Sequence, residues 1–448
     1  MRRLALTLLL PALALLPLAV ALGGCDLGGD DDQGTTSAQA APAPAAQRPS
    51  PGISRAELRQ HLAALQHIAD LGGGNRAAGT PGYDQSADYV AARLEDAGWR
   101  VTRQEVPFTY FALNDASLEV GRRELERGRD FQVLSYSASG RAAGPLHELG
   151  LGCEAGDFDA LESGEIPLVE RGECFSRVKA RNAEQAGASA LVIEEPVTSD
   201  RGVPSGTLAA PGIEIPVVVV STDALGADPA GRRAALTVDA TSEKGRTQNV
   251  IAETPGGSDD HVVMAGGHLD SVYGGPGIDD NGSGVGTLIE AAEAIGTKPP
   301  GARVRFGFWA AEELGLLGSR RYVDSLDKAD RKRIDAYINL DMVGSPNPVP
   351  EVYGDGDPDL AKVLRSAYHG RLGDADVSGA SDHTFFQLAG IPVNGLYTGS
   401  SEAARGGEAR DPCYHLACDT IDNVDMPMLL RMARTTAGAL ETLSGRRK

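Results

Sequence analysis

The chain has 448 residues, of which 42% are apolar, and a formal net charge of −20. This length exceeds one ordinary hydrophobic core, so we expect two folded units with additional tails. A nucleic-acid partner is excluded, because phosphate recognition needs clustered lysine and arginine and this chain is strongly acidic. Carboxylates that gather in one place can instead bind a metal ion.

The first 25 residues have the pattern of a bacterial lipoprotein signal peptide. Arg2 and Arg3 precede an apolar run that ends in Leu-Gly-Gly-Cys at Cys25. This ending resembles a lipobox, with cleavage before Cys25 and a lipid on its sulfur; an ordinary signal peptide with an incidental cysteine is the alternative. We predict an exported protein, anchored by its lipid to the outer face of the bacterial cytoplasmic membrane or cell envelope, or released from it.

The next segment, residues 26–52, is rich in Asp, Gly, Ala, Pro and Ser and has almost nothing to bury, which predicts a flexible linker. Order is expected to begin near Ser54, where leucines recur at helical spacing. A second helix over 85–97 and a strand over 99–106 should follow. No stretch after the signal peptide approaches the ~20 apolar residues of a membrane helix, so membrane contact is expected only through the lipid.

Between residues 118 and 245 short β-type runs are separated by Gly and Pro, with one helix near 176–186. This region contains no acid–base or metal-binding pattern. The segment 156–193 resembles a protease-associated domain. We therefore predict a smaller, β-rich domain, inserted at 118–245, that is non-catalytic and acts as a lid or substrate selector.

Four cysteines remain besides Cys25, namely Cys153, Cys174, Cys413 and Cys418. An even number in an exported protein favours disulfides. The local pairs, Cys153 with Cys174 and Cys413 with Cys418, are the simplest connectivity. A zinc site is the weaker alternative, since neither pair has C-x-x-C spacing.

After residue 249 apolar strands alternate with helices, which predicts an α/β fold with a largely parallel central sheet and helices on both faces. We assign 53–117 and 246–448 to this larger domain. The strands are expected at 249–252, 261–266, 304–309, 337–340 and 393–397. The helices are expected at 283–295, 316–326, 358–370 and 382–388.

Ionisable side chains follow three neighbouring strands of this predicted sheet. His268 and Asp270 follow the second strand, Glu312 and Glu313 the third, and Asp341 the fourth. In an open α/β sheet, ligands bind in the crevice at the carboxyl ends of the strands. We therefore expect these five side chains to form one site.

These residue types suit a pair of zinc ions, which take imidazole nitrogen and carboxylate oxygen as ligands. Two ions about 3.5–4 Å apart need a bridging carboxylate, and Asp280, on a tight glycine-rich loop close to His268, is the candidate. Asp270 can reach the second imidazole nitrogen of His268 and fix its tautomer. Of Glu312 and Glu313, one can bind metal while the other takes a proton from the attacking water.

Five motifs in this order resemble the co-catalytic zinc aminopeptidases, a family that includes bacterial leucyl-type aminopeptidases and the vacuolar aminopeptidase Y type with a protease-associated insert. They are GGHLDSVYGGPGIDDNGSG, FWAAEELGLLGS, NLDMVG, SDHTFF followed by GIP, and CYHLACDT. The resemblance extends over about residues 54–440 and includes the NRAAGT segment at 75–80. Five ordered motifs are specific, whereas H-x-D alone is common.

The resemblance implies two Zn²⁺ per chain. His268 and Asp341 would hold one ion, Glu313 and His415 the other, and Asp280 would bridge them. The same resemblance implies peptide substrates.

It also implies the roles of three further groups. Glu312 would be the general base, Asp270 would orient the site, and Tyr414 would hydrogen-bond to the tetrahedral intermediate. A disulfide between Cys413 and Cys418 would fix the loop that carries Tyr414.

The expected function is therefore that of an exported, monomeric aminopeptidase acting on apolar N-terminal residues. A carboxypeptidase or dipeptidase on the same fold is an alternative, because Arg405 and Arg410 lie close enough in sequence to His415 to bind a substrate carboxylate. Glutaminyl cyclase fits less well, since that chemistry uses one zinc ion. A binding protein with an inactive peptidase fold fits least, because such proteins lose ligands or the base.

Overall fold

The computed structural model of the protein describes residues 52–196, 202–296, 301–404 and 406–445. The predicted signal peptide with Cys25, almost all of the predicted linker, and Arg405 lie outside these residues. Within them, no helix combines the length and the apolar character needed to cross a membrane.

Helices and strands alternate through most of the described chain. The helices are α1 (Arg55–Leu71), α2 (Pro81–Asp96), α3 (Ser176–Gln185), α4 (Thr222–Leu225), α5 (Gly284–Ile295), α6 (Leu317–Ser325), α7 (Lys328–Arg333), α8 (Pro358–Ala367), α9 (His383–Leu388) and α10 (Met426–Ser444). The strands are β1 (Arg100–Val120), β2 (Arg123–Leu125), β3 (Phe131–Val133), β4 (Gly140–Glu148), β5 (Ile166–Glu170), β6 (Leu191–Glu195), β7 (Val217–Ser221), β8 (Arg233–Glu253), β9 (Ser258–His268), β10 (Ala302–Trp309), β11 (Ile334–Leu340), β12 (Glu351–Tyr353), β13 (Gly373–Ala375) and β14 (Val393–Tyr397).

The central sheet has the order β13-β12-β14-β11-β9-β10-β8. Its middle strands β14, β11, β9 and β10 are parallel, whereas β12 and β8 pair antiparallel with their neighbours β14 and β10. The predicted, largely parallel sheet is therefore confirmed, and the strand expected at 249–252 is the antiparallel end of β8.

Side chains of β9 alternate between two cores. Val263 and Ala265 pack in the core that contains residues of α1, α2, α5, α8 and α10, and Val262 and Met264 pack in the core that contains residues of α6 and α9. Successive strand residues point to opposite faces of a sheet, which produces this division. Helices therefore cover both faces, as predicted, and each fully buried aliphatic side chain contributes roughly 1.5–3 kcal/mol to stability.

A long two-stranded ribbon connects the larger domain to the inserted one. Strands β1 and β8 pair from Arg100 opposite Glu253 to Val120 opposite Ala234. One end of the ribbon continues the central sheet through β10, and the other end pairs with β4, which leads to β5, β6, β7 and β3. The predicted limits of the insert, 118 and 245, thus fall within continuous strands rather than in linkers.

Several elements differ from the sequence expectation, and α7, β12 and β13 have no predicted counterpart. The strand predicted at 99–106 is only the first part of β1, whose buried positions continue at Phe108 and Phe111 and, after a bulge between Leu113 and Asp115, at Leu118 and Val120. Helix α10 was not predicted, although its first turn is capped by Asp425, whose carboxylate accepts the N–H of Met428 at 2.8 Å.

Candidate metal centre

The parallel register places three strand ends side by side. His268 is the last residue of β9 and lies opposite Trp309, the last residue of β10. Asp341 directly follows β11, which pairs with β9 on the other side. One edge of the sheet therefore carries His268, Asp341 and, after β10, the Glu312–Glu313 pair. This is the edge at which the sequence predicts a site.

Asp280 lies between two histidines. Its Oδ1 is 3.1 Å from Nε2 of His268, and its Oδ2 is 3.1 Å from Nε2 of His415. The same nitrogen of His268 is 3.3 Å from Oδ1 of Asp341, and that of His415 is 3.2 Å from Oε2 of Glu313. Two groups of three possible metal ligands thus share one carboxylate.

The hydrogen bonds of the histidines suit metal binding. Nδ1 of His268 lies 3.1 Å from the main-chain oxygen of Asp270, and Nδ1 of His415 lies 2.9 Å from that of Ser205. A main-chain oxygen can only accept, so each Nδ1 carries a proton and Nε2 is the nitrogen that gives up its proton when a metal ion binds. Oε1 of Glu313 is buried without a hydrogen-bond partner. This set of nitrogen and carboxylate ligands fits divalent cations of the zinc type.

Burial and charge act differently on the two central carboxylates. Burial raises the pKa of Asp280, but hydrogen bonds from His268 and His415 outweigh it and hold that pKa below its ordinary value. Burial raises the pKa of Glu312 well above its ordinary value, and the negative charge of Glu313 acts in the same direction. Asp280 therefore stays ionised between the histidines, whereas Glu312 can take up a proton.

Tyr414 lies beside this pair of triads. Its ring stacks on that of His415 with centroids 3.8 Å apart. Burial, and next the charge of Asp280, raises the pKa of the Tyr414 hydroxyl well above its ordinary value. The hydroxyl is therefore protonated at neutral pH and can act as a hydrogen-bond donor.

Asp270 has a different principal contact from the one expected. Its Oδ1 is 3.9 Å from Nδ1 of His268, beyond hydrogen-bond distance. Instead, its carboxylate accepts the N–H groups of Glu312 at 3.1 Å and Glu313 at 3.4 Å. Burial raises the pKa of Asp270 to about 7. Asp270 therefore holds the loop of the two glutamates with its side chain and His268 with its main chain.

Two buried residues that support Asp280 were not identified from the sequence. Arg76 lies in the NRAAGT segment, and its guanidinium donates to the main-chain oxygens of Leu269, Pro276 and Gly277. Asp419 accepts the N–H groups of Asp279 at 2.8 Å and Asp280 at 3.0 Å. The position of Arg76 in a motif was the available signal, but its partners lie about 200 residues away.

The comparisons with known proteins agree with this arrangement. The model of peptidase family M28 matches residues 249–440, and the PA domain model matches residues 142–227. An aminopeptidase of Pseudomonas aeruginosa is 36% identical over 420 residues, covering 84% of this chain and 78% of that protein. The probable lipoprotein aminopeptidase LpqL of Mycobacterium tuberculosis is 39% identical over 419 residues, covering 84% of this chain and 82% of that protein.

This chain belongs to peptidase family M28. A solved structure of BSAP, a zinc aminopeptidase from Bacillus subtilis, matches this M28 peptidase with a TM-score of 0.69 and 28% identity, covering 87% of this chain and 96% of that one. The prediction of a metallo-aminopeptidase with an inserted protease-associated domain is confirmed. Both predicted disulfides, Cys153–Cys174 and Cys413–Cys418, are present.

The cleft of this M28 peptidase is formed by both domains. It has a volume of about 990 Å³, and the residues of both triads line it. The PA domain contributes side chains to one wall, among them Phe175, which is 76% exposed. Apolar and aromatic side chains from the larger domain, including Met342, Tyr353 and Tyr397, line another part. A peptide that enters this cleft would contact both domains.

Proposed function

We propose that this protein is an exported, two-zinc aminopeptidase that removes apolar N-terminal residues from peptides. The observation that carries the proposal is the pair of ligand triads that share Asp280. The relatives from P. aeruginosa and M. tuberculosis are named as aminopeptidases, and BSAP as a zinc aminopeptidase, which supports the reaction and the metal. The apolar part of the cleft lining supports an apolar N-terminal residue.

In this proposal His268 and Asp341 would hold one zinc ion, Glu313 and His415 would hold the other, and Asp280 would be a ligand shared by both. When bound, such a pair lowers the pKa of a water molecule and polarises the scissile carbonyl. The possible ligand atoms of each triad lie within 4.8 Å of one another, which supports joint coordination.

The remaining steps use side chains of the chain itself. Glu312 accepts a proton from the attacking water at its carboxylate and later delivers it to the leaving amine. Possible ligand atoms of His268, Glu312 and Glu313 also lie within 4.8 Å of one another, so Glu312 is adjacent to the reacting centre. Tyr414 donates its hydroxyl proton in a hydrogen bond to the carbonyl oxygen as negative charge develops there. The N–H groups bound by Asp270 keep Glu312 in place.

Export and lipid attachment at Cys25 belong to the same proposal. Two disulfides support an oxidising compartment, and LpqL is named a probable lipoprotein. Wild-type protein produced in a bacterial host should incorporate radiolabelled palmitate, and a Cys25→Ala variant should not. Absence of label from the wild type, or equal labelling of both proteins, would exclude the lipid anchor at Cys25.

The alternatives have weaker support. The guanidinium of Arg410, one candidate for a carboxylate-binding group, is 2.6 Å from Glu351 and 3.2 Å from Glu402, so its charge is already paired. Glutaminyl cyclase chemistry uses one zinc ion, which leaves the second triad without a role. An inactive binding protein would have no need for a complete set of ligands and base.

The test uses Glu312→Gln in the full chain, with metal analysis and an amino-acid p-nitroanilide assay run with and without a chelator. We expect two zinc ions per chain in both proteins and a fall in kcat of about 10²–10⁴-fold in the variant, the usual contribution of a general base. Glu119→Gln, at an exposed position of β1, is the matched control and should retain activity. Cleavage confined to peptides with blocked N-termini, or activity that resists metal removal, would overturn the proposal.

A further inference from the structure

We infer that the inserted PA domain completes the metal site, because main-chain atoms of its residue Ser205 position His415. This inference rests on the proposed function, since it takes His415 to be a metal ligand. The main-chain oxygen of Ser205 accepts the Nδ1–H of His415 at 2.9 Å. The N–H of Ser205 donates to the main-chain oxygen of His415 at 3.2 Å. Two hydrogen bonds therefore join this residue of the PA domain to both the ring and the backbone of His415.

The backbone of His415 needs such support. Its φ is 59°, in the left-handed region that costs free energy for a residue with a side chain. The ring must nevertheless direct Nε2 between Asp280 and Glu313. A hydrogen bond on the other ring nitrogen fixes both the tautomer and the rotation of the ring. Ser205 supplies that bond for His415, as Asp270 does for His268.

Ser205 is part of a loop that is fixed inside the PA domain. We call residues 202–211 the bridging loop. Within it, the N–H of Val203 donates to the main-chain oxygen of Gly128 at 3.1 Å, and Gly206 accepts the N–H of Ser135 at 2.9 Å. These bonds lie on either side of Ser205, so the position of its carbonyl follows the position of the domain.

The second half of the bridging loop has its own anchor. The guanidinium of Arg177, on α3, donates to three main-chain oxygens, those of Leu208, Ala210 and Pro211. The loop also contacts the larger domain here, since a Cβ atom placed on Gly315 would lie 3.0 Å from the main-chain oxygen of Ala209. Gly315 follows Glu312 and Glu313 closely in the chain. The bridging loop therefore lies against the segment that carries Glu313 and the segment that carries His415.

Two glycines allow the loop that leads to Asp280 to pass close to the bridging loop and to the loop that carries His415. A Cβ atom on Gly274 would lie 2.3 Å from Oγ of Ser205, and one on Gly275 would lie 2.1 Å from the main-chain oxygen of Leu416. Such distances are too short for non-bonded atoms, so the loop that leads to Asp280 has no space for side chains where it passes the bridging loop and the His415 loop. Gly274 thus has a packing role between the two domains, and Gly275 has one within the larger domain.

The consequence is that movement of the PA domain and zinc binding are linked. A domain acting only as a lid could move without affecting the metal ions. A domain that supplies the hydrogen-bond acceptor of a ligand cannot move away without weakening the ion that this ligand holds. The PA domain is in this sense a positioning element for one half of the metal centre.

The test compares Ser205→Pro with Ser205→Ala in the full chain. Proline removes the N–H that binds His415, whereas alanine retains both main-chain groups. Zn²⁺ affinity is measured by competition with a chromophoric chelator, with folding checked by thermal unfolding. Ser205→Pro loses the N–H bond that holds the Ser205 carbonyl against the His415 loop, so the acceptor of the Nδ1–H of His415 is displaced. We expect the ion held by Glu313 and His415 to bind about tenfold more weakly, the lower end of the usual effect of disturbing an outer hydrogen bond to a ligand. Ser205→Ala should match the wild-type affinities. Repeating the pair in a His268→Ala background assigns the change to the His415 site.

A second variant covers the case in which Ser205→Pro does not fold. Arg177→Ala removes the anchor of the bridging loop and should weaken the same ion, whereas Arg181→Ala, at an exposed position on the same helix, should not. Wild-type affinity for both ions in folded Ser205→Pro, or in Arg177→Ala where the proline variant is unfolded, would overturn the inference and leave the proposed function intact. Equal zinc content of wild type and His415→Ala would instead overturn the ligand assignment on which it rests.

Discussion

The two halves of the candidate metal centre are built in different ways. The sheet half consists of His268 and Asp341, which stand at the ends of β9 and β11. The loop half consists of Glu313 and His415, which lie outside the strands and helices. His268 is held by Asp270, two residues away, whereas His415 is held by Ser205, 210 residues away in another domain. The sheet half is therefore formed by the register of the sheet, and the loop half by contacts between segments.

Backbone conformation sharpens this difference. Both segments of the loop half contain non-glycine residues at positive φ, namely Ala311 and Leu316 around Glu313, and His415 itself. The sheet half has one such residue, Met342, whose N–H donates to Asn281 at 3.3 Å. Left-handed residues persist where surrounding contacts fix them. The loop half should therefore depend more strongly on its surroundings.

The largest expected effect comes from the residue that both halves share. Asp280→Ala removes one ligand from each triad, so both zinc ions should be lost on gel filtration. We expect kcat/KM to fall roughly a thousandfold, which corresponds to a loss of about 4 kcal/mol of transition-state stabilisation. Metal analysis and initial rates measure the two changes, with exposed Asp422→Ala as the control. Retention of one tightly bound ion would show that Asp280 serves a single half.

A smaller effect should separate the halves. His415→Ala leaves the sheet half, and His268→Ala leaves the loop half. Because the sheet half is held by strand pairing, the ion that remains in His415→Ala should bind about tenfold more tightly than the one in His268→Ala, a difference of roughly 1.4 kcal/mol. Competition with a chelator measures both constants. The reverse order would contradict the view that the sheet half is the more preorganised one.

The same difference explains what the sequence could predict. Strand ends follow from apolar runs, and the side chains at 268, 312, 313 and 341 therefore lie where the alternation of strands and helices placed them. His415 came from resemblance to a family motif rather than from periodicity.

A contact between segments that are distant in the sequence leaves no pattern in the residues around either partner. Nothing near Ser205 in the sequence indicates that its main-chain oxygen meets His415, and the partners of Arg76 are equally remote. The expected bond between the Asp270 side chain and His268 was placed by spacing alone, but the turn after β9 presents the main-chain oxygen instead. Side-chain direction in such a turn depends on the whole fold.

The smallest effect should come from the two disulfides. Cys413–Cys418 encloses His415, whereas Cys153–Cys174 lies in the PA domain. Cys413→Ser/Cys418→Ser frees the backbone of the loop half, so its zinc ion should bind about fivefold more weakly, equivalent to ~1 kcal/mol of ordering. Chelator competition on the His268→Ala background measures this change.

The PA-domain disulfide provides the matched control for that experiment. Its loop of 21 residues implies a loss of about 3 kcal/mol in the free energy of unfolding when Cys153→Ser/Cys174→Ser is introduced. Zinc affinity should remain unchanged, because the bridging loop is fixed by Arg177 and by main-chain bonds rather than by this disulfide. If both double variants lost stability and neither lost zinc affinity, the loop half would be as preorganised as the sheet half.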